Sequence, residues 1–425
     1  MIGAIADDFT GATDVAVAFR RAGLRTVVLF RQPSESAAVP EADAIVIGLK
    51  TRTVPAASAV AESIAAVTWL QGRGAGQFYF KYCSTFDSRA DGNIGPVADA
   101  MAEHLGARQV AVAPSSPQHG RTQYRGHLFV GDQLLSESPM RHHPLTPMKD
   151  SYIPRVLAAQ TTRRVDLIRL ATVSAGRKSI LRALDQLDDG KASYVVIDAI
   201  HDDDLTKIGA ALSGKVLVTG AAGLAGGLGR AIASTRSGAD VPVIDADPVG
   251  AVRSAALAGS CSARTLQQVA HMSSVQPAYF LDAVQDADAH SLAAAALDWY
   301  DAQDSAASPL IYSSVSPEGL RRVHEVLGTH HASRILETAM GLIARGLVAR
   351  NVRRLVVAGG ETSGAVVSAL DIEGGLIGDE AAPGVPWIYT IAERPIALLL
   401  KSGNFGEPNL LTNSVRSSMA EKLSG

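Results

Sequence analysis

Short β-branched runs alternate with amphipathic helical runs through the first half of this 425-residue chain, and no other feature restricts its fold so tightly. Strand signals fall at 2–6, 25–30, 43–49, 77–81, 108–113, 166–170, 193–198 and 215–219. Helix signals lie between them, near 12–22, 55–70, 94–105, 174–187 and 202–212. Strands separated by helices pair in parallel with helices on both faces, so the pattern predicts an α/β fold with a doubly wound, mostly parallel sheet. Residues 114–151 interrupt it with Pro, His, Arg and Ser and one hairpin signal at Gly131-Asp132. A long irregular insertion of this kind is more often a functional loop than filler.

A chain of this length exceeds one ordinary core and predicts two or three domains. Val241 to Pro248 is extended and proline-bounded, and reads as a linker. Beyond it, strands are expected at 277–281, 309–313, 354–358, 387–391 and 396–400, with helices near 262–274, 290–303 and 317–348. The expected domains are therefore 1–245 and 250–425.

A content of 47% hydrophobic and 19% charged residues, with 39 glycines, describes a soluble α/β enzyme rather than a disordered or fibrous chain. The net charge of −3 gives no electrostatic footprint for nucleic acid. No basic leader or bilayer-length apolar run is visible, so neither a membrane nor nucleic acid is expected as a partner, and a cytoplasmic location is. Cys83 and Cys261 form no disulfide framework, which fits a reducing compartment.

Polar chemistry should gather beyond the carboxyl ends of the strands. The first such end is Ile2 to Ala6, which runs into Asp7-Asp8, a Thr10-Gly11 turn and a helix. Adjacent acids there suit a sugar hydroxyl, a metal or a proton to be removed. Helix capping by Asp8 or Thr10 is the plainer reading. Lys81 to Ser88, with Arg89, Asp91, Gly92 and Asn93, puts a cation, carboxylates, hydroxyls and an amide at another strand end, a mixture suited to a polyhydroxy acid. The insertion adds Arg121, and arginine favours bidentate carboxylate recognition. His201-Asp-Asp-Asp204 precedes a helix, where carboxylates cap it and favour its dipole.

Two glycine clusters in this half fail as nucleotide motifs. Gly209 to Lys215 has Walker A spacing, but Val216 replaces the hydroxyl residue and the order is helix then strand, so a helix C-cap is expected. Thr219 to Gly227 lacks dinucleotide spacing, and either lines a site or permits close helix–sheet packing. Better phosphate candidates follow later. Leu355 to Ala358 leads into Gly359, Gly360, Glu361, Thr362, Ser363 and Gly364, then a helix from Ala365 to Leu370. This order offers free N–H groups and a favourable dipole to an anion. Lys401 to Gly406 and Gly259 to Ser262 supply two more turns of small residues. Three in one domain suggest a bound nucleotide.

Taken together, these segments resemble the four-carbon acid sugar kinase family. The matching strings are Ala6 to Asp14, Lys81 to Ser88 with Gly92 to Gly95, Gly120 to Thr122 with Gly126 to Val130, Met140-Arg141 and His143 to Met148. Gly259 to Ser262, Gly359 to Gly364, Pro383 to Pro386 and Lys401 to Gly406 match in the second half, so the likeness runs from residue 2 to about 406. Lys81 to Ser88 and His143 to Met148 look like the 3-oxo-tetronate kinase branch. Arg89 departs from that branch's usual Thr, and Ser115 to His119 replaces a Phe-Pro-Glu-Asn-like string.

The resemblance implies an N-terminal acid-sugar domain, a C-terminal ATP domain and an active site in the cleft between them. The implied reaction moves the γ-phosphoryl of ATP to the 4-hydroxyl of 3-oxo-tetronate, with D-threonate or D-erythronate as alternative acceptors and a non-catalytic sugar-acid sensor as the alternative of another class. Asp8 is then the expected base, and Asp7 binds a second hydroxyl or the metal. Thr10, Asp87, Ser88 and Asn93 hold the substrate, while Lys81 or Arg121 meets its carboxylate. Ser260, Gly359, Gly360, Glu361, Thr362, Ser363, Gly364, Gly403 and Asn404 hold the nucleotide. Mg2+ is expected with ATP, its protein ligands unassigned. A homodimer is left open.

Overall fold

A computed structural model of the chain describes residues 1–35, 37–142, 146–235, 249, 252–401 and 403–416. The expected linker at 241–248, His143 to Leu145 and Ser402 lie outside the described residues. The chain divides into two compact units, Met1–Pro242 and Val243–Gly425.

The first unit is built on strands β1 (Ile2–Ala6), β2 (Thr26–Leu29), β3 (Ala44–Gly48), β4 (Gln77–Lys81) and β5 (Gln109–Ala113). The insertion contributes β6 (Arg121–Tyr124), β7 (His127–Val130) and β8 (Gln133–Leu134), and then β9 (Arg164–Ile168), β10 (Ser193–Ile197) and β11 (Leu217–Gly220) return to the main sheet. Its order is β2-β3-β1-β4-β11-β5-β10-β9, and these neighbours all pair in parallel. Helices cover both faces, so β1, β2, β3 and β4 are buried along their whole lengths, as their unbroken apolar runs require. Each fully buried Val, Leu or Ile contributes about 1.5–3 kcal/mol.

The insertion is not irregular. It folds as an antiparallel sheet, β6-β7-β8, with the Gly131-Asp132 hairpin joining β7 to β8. Buried Asp198, just past β10, fastens it by accepting the N–H groups of Arg125 at 2.7 Å and Gly126 at 2.8 Å.

Helix α1 (Phe9–Arg21) follows β1, and α2 (Ala222–Ala233) begins within the glycine stretch after β11. Close packing explains those glycines. A Cβ on Gly227 would sit 2.1 Å from the Leu205 carbonyl oxygen, and one on Gly209 would sit 2.2 Å from the Gly227 carbonyl carbon. Gly209 thus belongs to a helix–helix contact rather than a phosphate loop. His201 and Asp204 form a capping box, so that acidic cluster is a helix start.

The second unit contains β12 (Arg253–Ala258), β13 (Ala278–Phe280), β14 (Leu310–Tyr312), β15 (Val352–Ala358), β16 (Gly374–Ala382), β17 (Val385–Thr390) and β18 (Ala397–Lys401). Its order is β13-β14-β12-β15-β18-β17-β16, parallel from β13 to β18, with β17 antiparallel to both its neighbours. Helix α3 (Ala263–Ser273) follows β12, and α4 (Pro317–Leu327), α5 (Thr329–Ala349) and α6 (Gly360–Ala369) border the site described below. The single helix expected over 317–348 is two, parted at Gly328, whose φ of 73° ends α4 and starts α5. No helix among the described residues is long and apolar enough to cross a membrane.

Candidate functional site

Parallel register lines up Gly48, Ala6, Lys81 and Gly220 at the carboxyl ends of β3, β1, β4 and β11. Each strand then delivers its next residues to one place. Those residues are Asp7-Asp8 after β1, Thr51-Arg52 after β3, Cys83-Ser84 after β4 and Ala221-Ala222 after β11. A cavity of about 150 Å³ lies there, lined by Asp8, Thr10, Gly11, Asp14, Arg52, Lys81 and His119 among others. That is below the ~300–1,000 Å³ of sites for drug-sized ligands, and suits a molecule of few atoms.

Asp8 is the N-cap of α1, its Oδ1 accepting the Gly11 N–H at 2.7 Å. Capping therefore belongs to Asp8, and Thr10 lies inside the helix. Asp7 does not line the cavity. Arg52 Nε donates to Asp7 Oδ2 and Nη2 to Asp7 Oδ1, both at 2.8 Å, and the same Nη2 lies 2.9 Å from Asp8 Oδ1. Burial works against the Arg52 charge, but the hydrogen bonds and charge of Asp7, then of Asp8, outweigh it and hold the guanidinium firmly protonated.

Lys81 ends β4 with its side chain buried on the cavity wall. A Cβ on Gly11 would lie 2.5 Å from its Nζ and 2.4 Å from Asp8 Oδ1, so glycine is what lets the two groups converge. Burial pushes the Asp14 carboxyl up, and the nearby Lys81 charge opposes this. Burial likewise raises the Cys83 thiol, with Asp87 adding to it.

Four of the residues expected to bind the acid are occupied with other work. Asn93 Nδ2 donates to the carbonyls of Thr51 at 2.6 Å and Val54 at 3.0 Å, fastening the turn that carries Arg52. Asp87 accepts the Thr85 hydroxyl at 2.5 Å, and Ser88 accepts Gln160 Nε2 at 2.9 Å. Arg121 turns to the His119 carbonyl. None of the four lines the cavity. Arg52, Asp14, Ser116 and His119 do line it, and sequence reading assigned them no role. Arg52 lies outside every motif, although its position four residues past β3 was a usable signal.

The second unit repeats the arrangement. Ala258, Tyr312, Ala358 and Lys401 align at the ends of β12, β14, β15 and β18. Gly259-Ser260 follows β12 and Gly359-Gly360 follows β15, both on one end of a cavity of about 500 Å³. Its other walls come from α4 and α5, where Leu320, Val323, Leu336 and Met340 give an apolar surface and His324, Ser333 and Glu337 add polar groups. Gly359 has φ of 130°, and a Cβ there would lie 3.0 Å from both Ser260 N and Thr362 Oγ1. Backbone thus reaches the cavity unobstructed. The helix dipole of α6 points there too, since α6 starts at Gly360 rather than Ala365.

Ser260, Gly359, Gly360, Glu361 and Thr362 line this cavity, whereas Ser363, Gly364, Gly403 and Asn404 do not. The Gly403 carbonyl accepts from Ser262 Oγ at 2.6 Å, Thr265 Oγ1 at 2.9 Å and Lys401 Nζ at 3.0 Å, which ties its loop to α3. Burial, helped by Arg264, pushes Lys401 down to about 8. Glu337 on α5 is raised by burial and by the neighbouring charge of Glu361. The apolar wall from α4 and α5 escaped sequence reading, because an amphipathic helix does not announce which partner its face covers.

A small charged cavity and a larger half-apolar one, on successive α/β domains, define a protein that takes a polar metabolite and a nucleotide. Residues 2–228 match the model of a sugar-binding N-terminal domain, and residues 255–411 that of a nucleotide-binding C-terminal domain. A 3-oxo-tetronate kinase of Brucella melitensis is 46% identical over 411 residues, covering 95% of this chain and 93% of its own length. One from Burkholderia multivorans is 44% identical over 423 residues, covering 98% and 97%. A crystal structure from Salmonella typhimurium LT2, provisionally described as a tRNA synthase, has 41% identity, covers 98% of each chain and gives a TM-score of 0.91. The chain belongs to the four-carbon acid sugar kinase family.

Proposed function

We propose that this protein phosphorylates the terminal 4-hydroxyl of 3-oxo-tetronate with ATP, giving 3-oxo-tetronate 4-phosphate. The observation that carries this reading is Lys81. The residue is only 4% exposed and lines the small cavity, and its ammonium makes no hydrogen bond or ion pair among the described residues. A buried ammonium with no hydrogen-bond partner is costly even with carboxylates nearby, and an anionic ligand in direct contact relieves the cost. The carboxylate of a short acid sugar fits that need, and Lys81 is preferred over Arg121 because Arg121 does not line the cavity.

In this reading Asp8 takes the proton of the attacking hydroxyl. It lines the cavity, while both oxygens of Asp7 are held by Arg52. The apolar wall of the larger cavity receives the adenine base, and the backbone N–H groups of the first turn of α6, Gly360 to Thr362, receive the phosphates, since that of Gly359 is taken by the Lys401 carbonyl. Phosphoryl transfer then depends on positioning and charge neutralisation more than on covalent chemistry.

No group of three or more His, Cys, Asp or Glu able to hold a metal occurs among the described residues. Mg2+ fits nonetheless, since it is commonly held by one or two carboxylates together with substrate phosphates. Glu361 and Glu337, the carboxylates of the nucleotide cavity, would hold it. When bound, the ion neutralises triphosphate charge.

ADP release should be measured with ATP, Mg2+ and a panel of 3-oxo-tetronate, D-threonate and D-erythronate. Fastest turnover with 3-oxo-tetronate is expected. A preference for either of the others would replace the substrate, and no ADP release with any acid would overturn the reading.

A further inference from the structure

Lys81 has an uncommitted counterpart across the same cavity. Every other carboxylate near this site is satisfied within the protein: Asp7 by Arg52, Asp8 by Arg52 and the Gly11 N–H, and Asp87 by Thr85. Asp14 is different. It lines the cavity from α1, yet among the described residues its side chain accepts no hydrogen bond and forms no ion pair. It does not close on Lys81 either, although the two interact electrostatically.

Holding buried Lys81 and half-buried Asp14 near each other without pairing them is an unfavourable arrangement for folding alone. An alanine at position 14 would continue the helix at lower cost. The arrangement becomes favourable once a ligand bridges the two groups. Such a ligand has an anionic end for the ammonium and a hydroxyl a few atoms away for the carboxylate. A hydroxy acid has that pattern, and a plain carboxylic acid does not.

We propose that Asp14 is a substrate-binding residue. It bonds a hydroxyl on the carbon skeleton of the acid sugar while Lys81 takes the carboxylate, and together they fix which end of the molecule reaches Asp8. The proposal rests on reading this cavity as the acid-sugar site. Burial holds the Asp14 carboxyl above the ordinary range, and either protonation state bonds a hydroxyl. The pair makes the site selective for hydroxylated acids, because an analogue lacking the hydroxyl covers Asp14 and leaves it unpaired.

The test compares the intact protein with Asp14→Asn, Asp14→Ala and Lys81→Met. The probes are D-erythronate, 3-oxo-tetronate and 4-hydroxybutyrate, which keeps the carboxylate and terminal hydroxyl but lacks the intermediate oxygens. Asp14→Ala should raise KM for the hydroxylated acid about tenfold and leave KM for ATP within about twofold. Its preference for that acid over 4-hydroxybutyrate, as a ratio of kcat/KM, should collapse by a similar factor. Asp14→Asn, which keeps the shape, should show the intermediate effect with an unchanged melting temperature. An unchanged preference ratio in both variants overturns the proposal. If calorimetry shows Lys81→Met weakening acid binding while both Asp14 variants bind normally, only the role of Asp14 falls. If Lys81→Met also binds normally, the cavity is not the acid-sugar site and both readings fall.

Discussion

Arg52 meets Asp7 through two parallel hydrogen bonds of 2.8 Å, and its Nη2 also lies 2.9 Å from Asp8. One guanidinium thus fixes two neighbouring acids that would otherwise repel each other at a strand end. A fork of fixed N–H groups achieves this and a point charge does not. Arg52→Met should leave buried Asp7 unpaired and lower stability by about 3 kcal/mol, with turnover lost. Arg52→Lys should recover part of the stability but little activity. Chemical denaturation alongside ADP release checks both, and a stable, active Arg52→Met would refute the arrangement.

Asp8→Asn separates chemistry from capping. Asparagine caps a helix about as well as aspartate, so the melting temperature should hold. It cannot accept a proton at neutral pH, so kcat should fall by about 10²–10⁴. Nucleotide affinity by calorimetry should stay unchanged, because the nucleotide-binding domain is the other one. Loss of nucleotide affinity with normal turnover would place Asp8 in the wrong role.

The architecture was legible in the sequence because burial on both faces leaves a long apolar signature. The runs at 2–6 and 77–81 are strands over those same residues, and the helix at 202–212 likewise. The glycine loop at 359–364 was legible as a place but not as a shape, since α6 starts within it. Side-chain commitments were legible only at helix starts, where Asp8 and the His201–Asp204 cluster cap as their positions suggest. Asn93, Asp87 and Ser88 sit in a motif with the chemistry of sugar recognition, yet they hydrogen-bond to the protein. A motif fixes which residues are near a site; only packing decides whether they face the ligand or brace the residues that do.

Asn93 is the case to test. Its amide bonds two carbonyls of the turn that carries Arg52, so it acts on the acids through Arg52. Asn93→Ala should cost about 1–3 kcal/mol of stability by freeing buried carbonyls. It should lower kcat through the displaced Arg52. Asn93→Asp should do no better despite its shape, because a carboxylate cannot donate to those carbonyls. A raised acid-sugar KM with normal kcat and stability would instead mean that Asn93 touches the substrate.

Gly11 offers a steric test of the convergence of Asp8 and Lys81. Alanine in a helix interior normally stabilises by about 1 kcal/mol relative to glycine. Here the added Cβ would fall 2.4 Å from Asp8 Oδ1 and 2.5 Å from Lys81 Nζ, so both charged groups must move. Gly11→Ala should therefore weaken acid-sugar binding strongly while nucleotide binding persists, both read by calorimetry. Intact turnover in Gly11→Ala would show that the cavity tolerates a wider spacing.

Lys401 predicts a pH dependence of the second domain. Burial lowers its folded value to about 8, below the ordinary 10.5 of the unfolded chain. Between those values the unfolded chain binds more protons than the folded one, so stability contributed by this group rises as pH increases from 8 towards 10.5. Below pH 8 both states are protonated and the full cost of burying the ammonium is present, offset by its bonds to Thr265, Gln268 and Gly403. Lys401→Met removes the titration together with those bonds. Denaturation of the two proteins across this window should therefore show the intact protein gaining stability relative to Lys401→Met as pH rises, by at most about 1.4 kcal/mol per pH unit. A difference that stays flat or shrinks would mean that Lys401 keeps its proton throughout, and that its bonds to the Gly403 loop outweigh its burial.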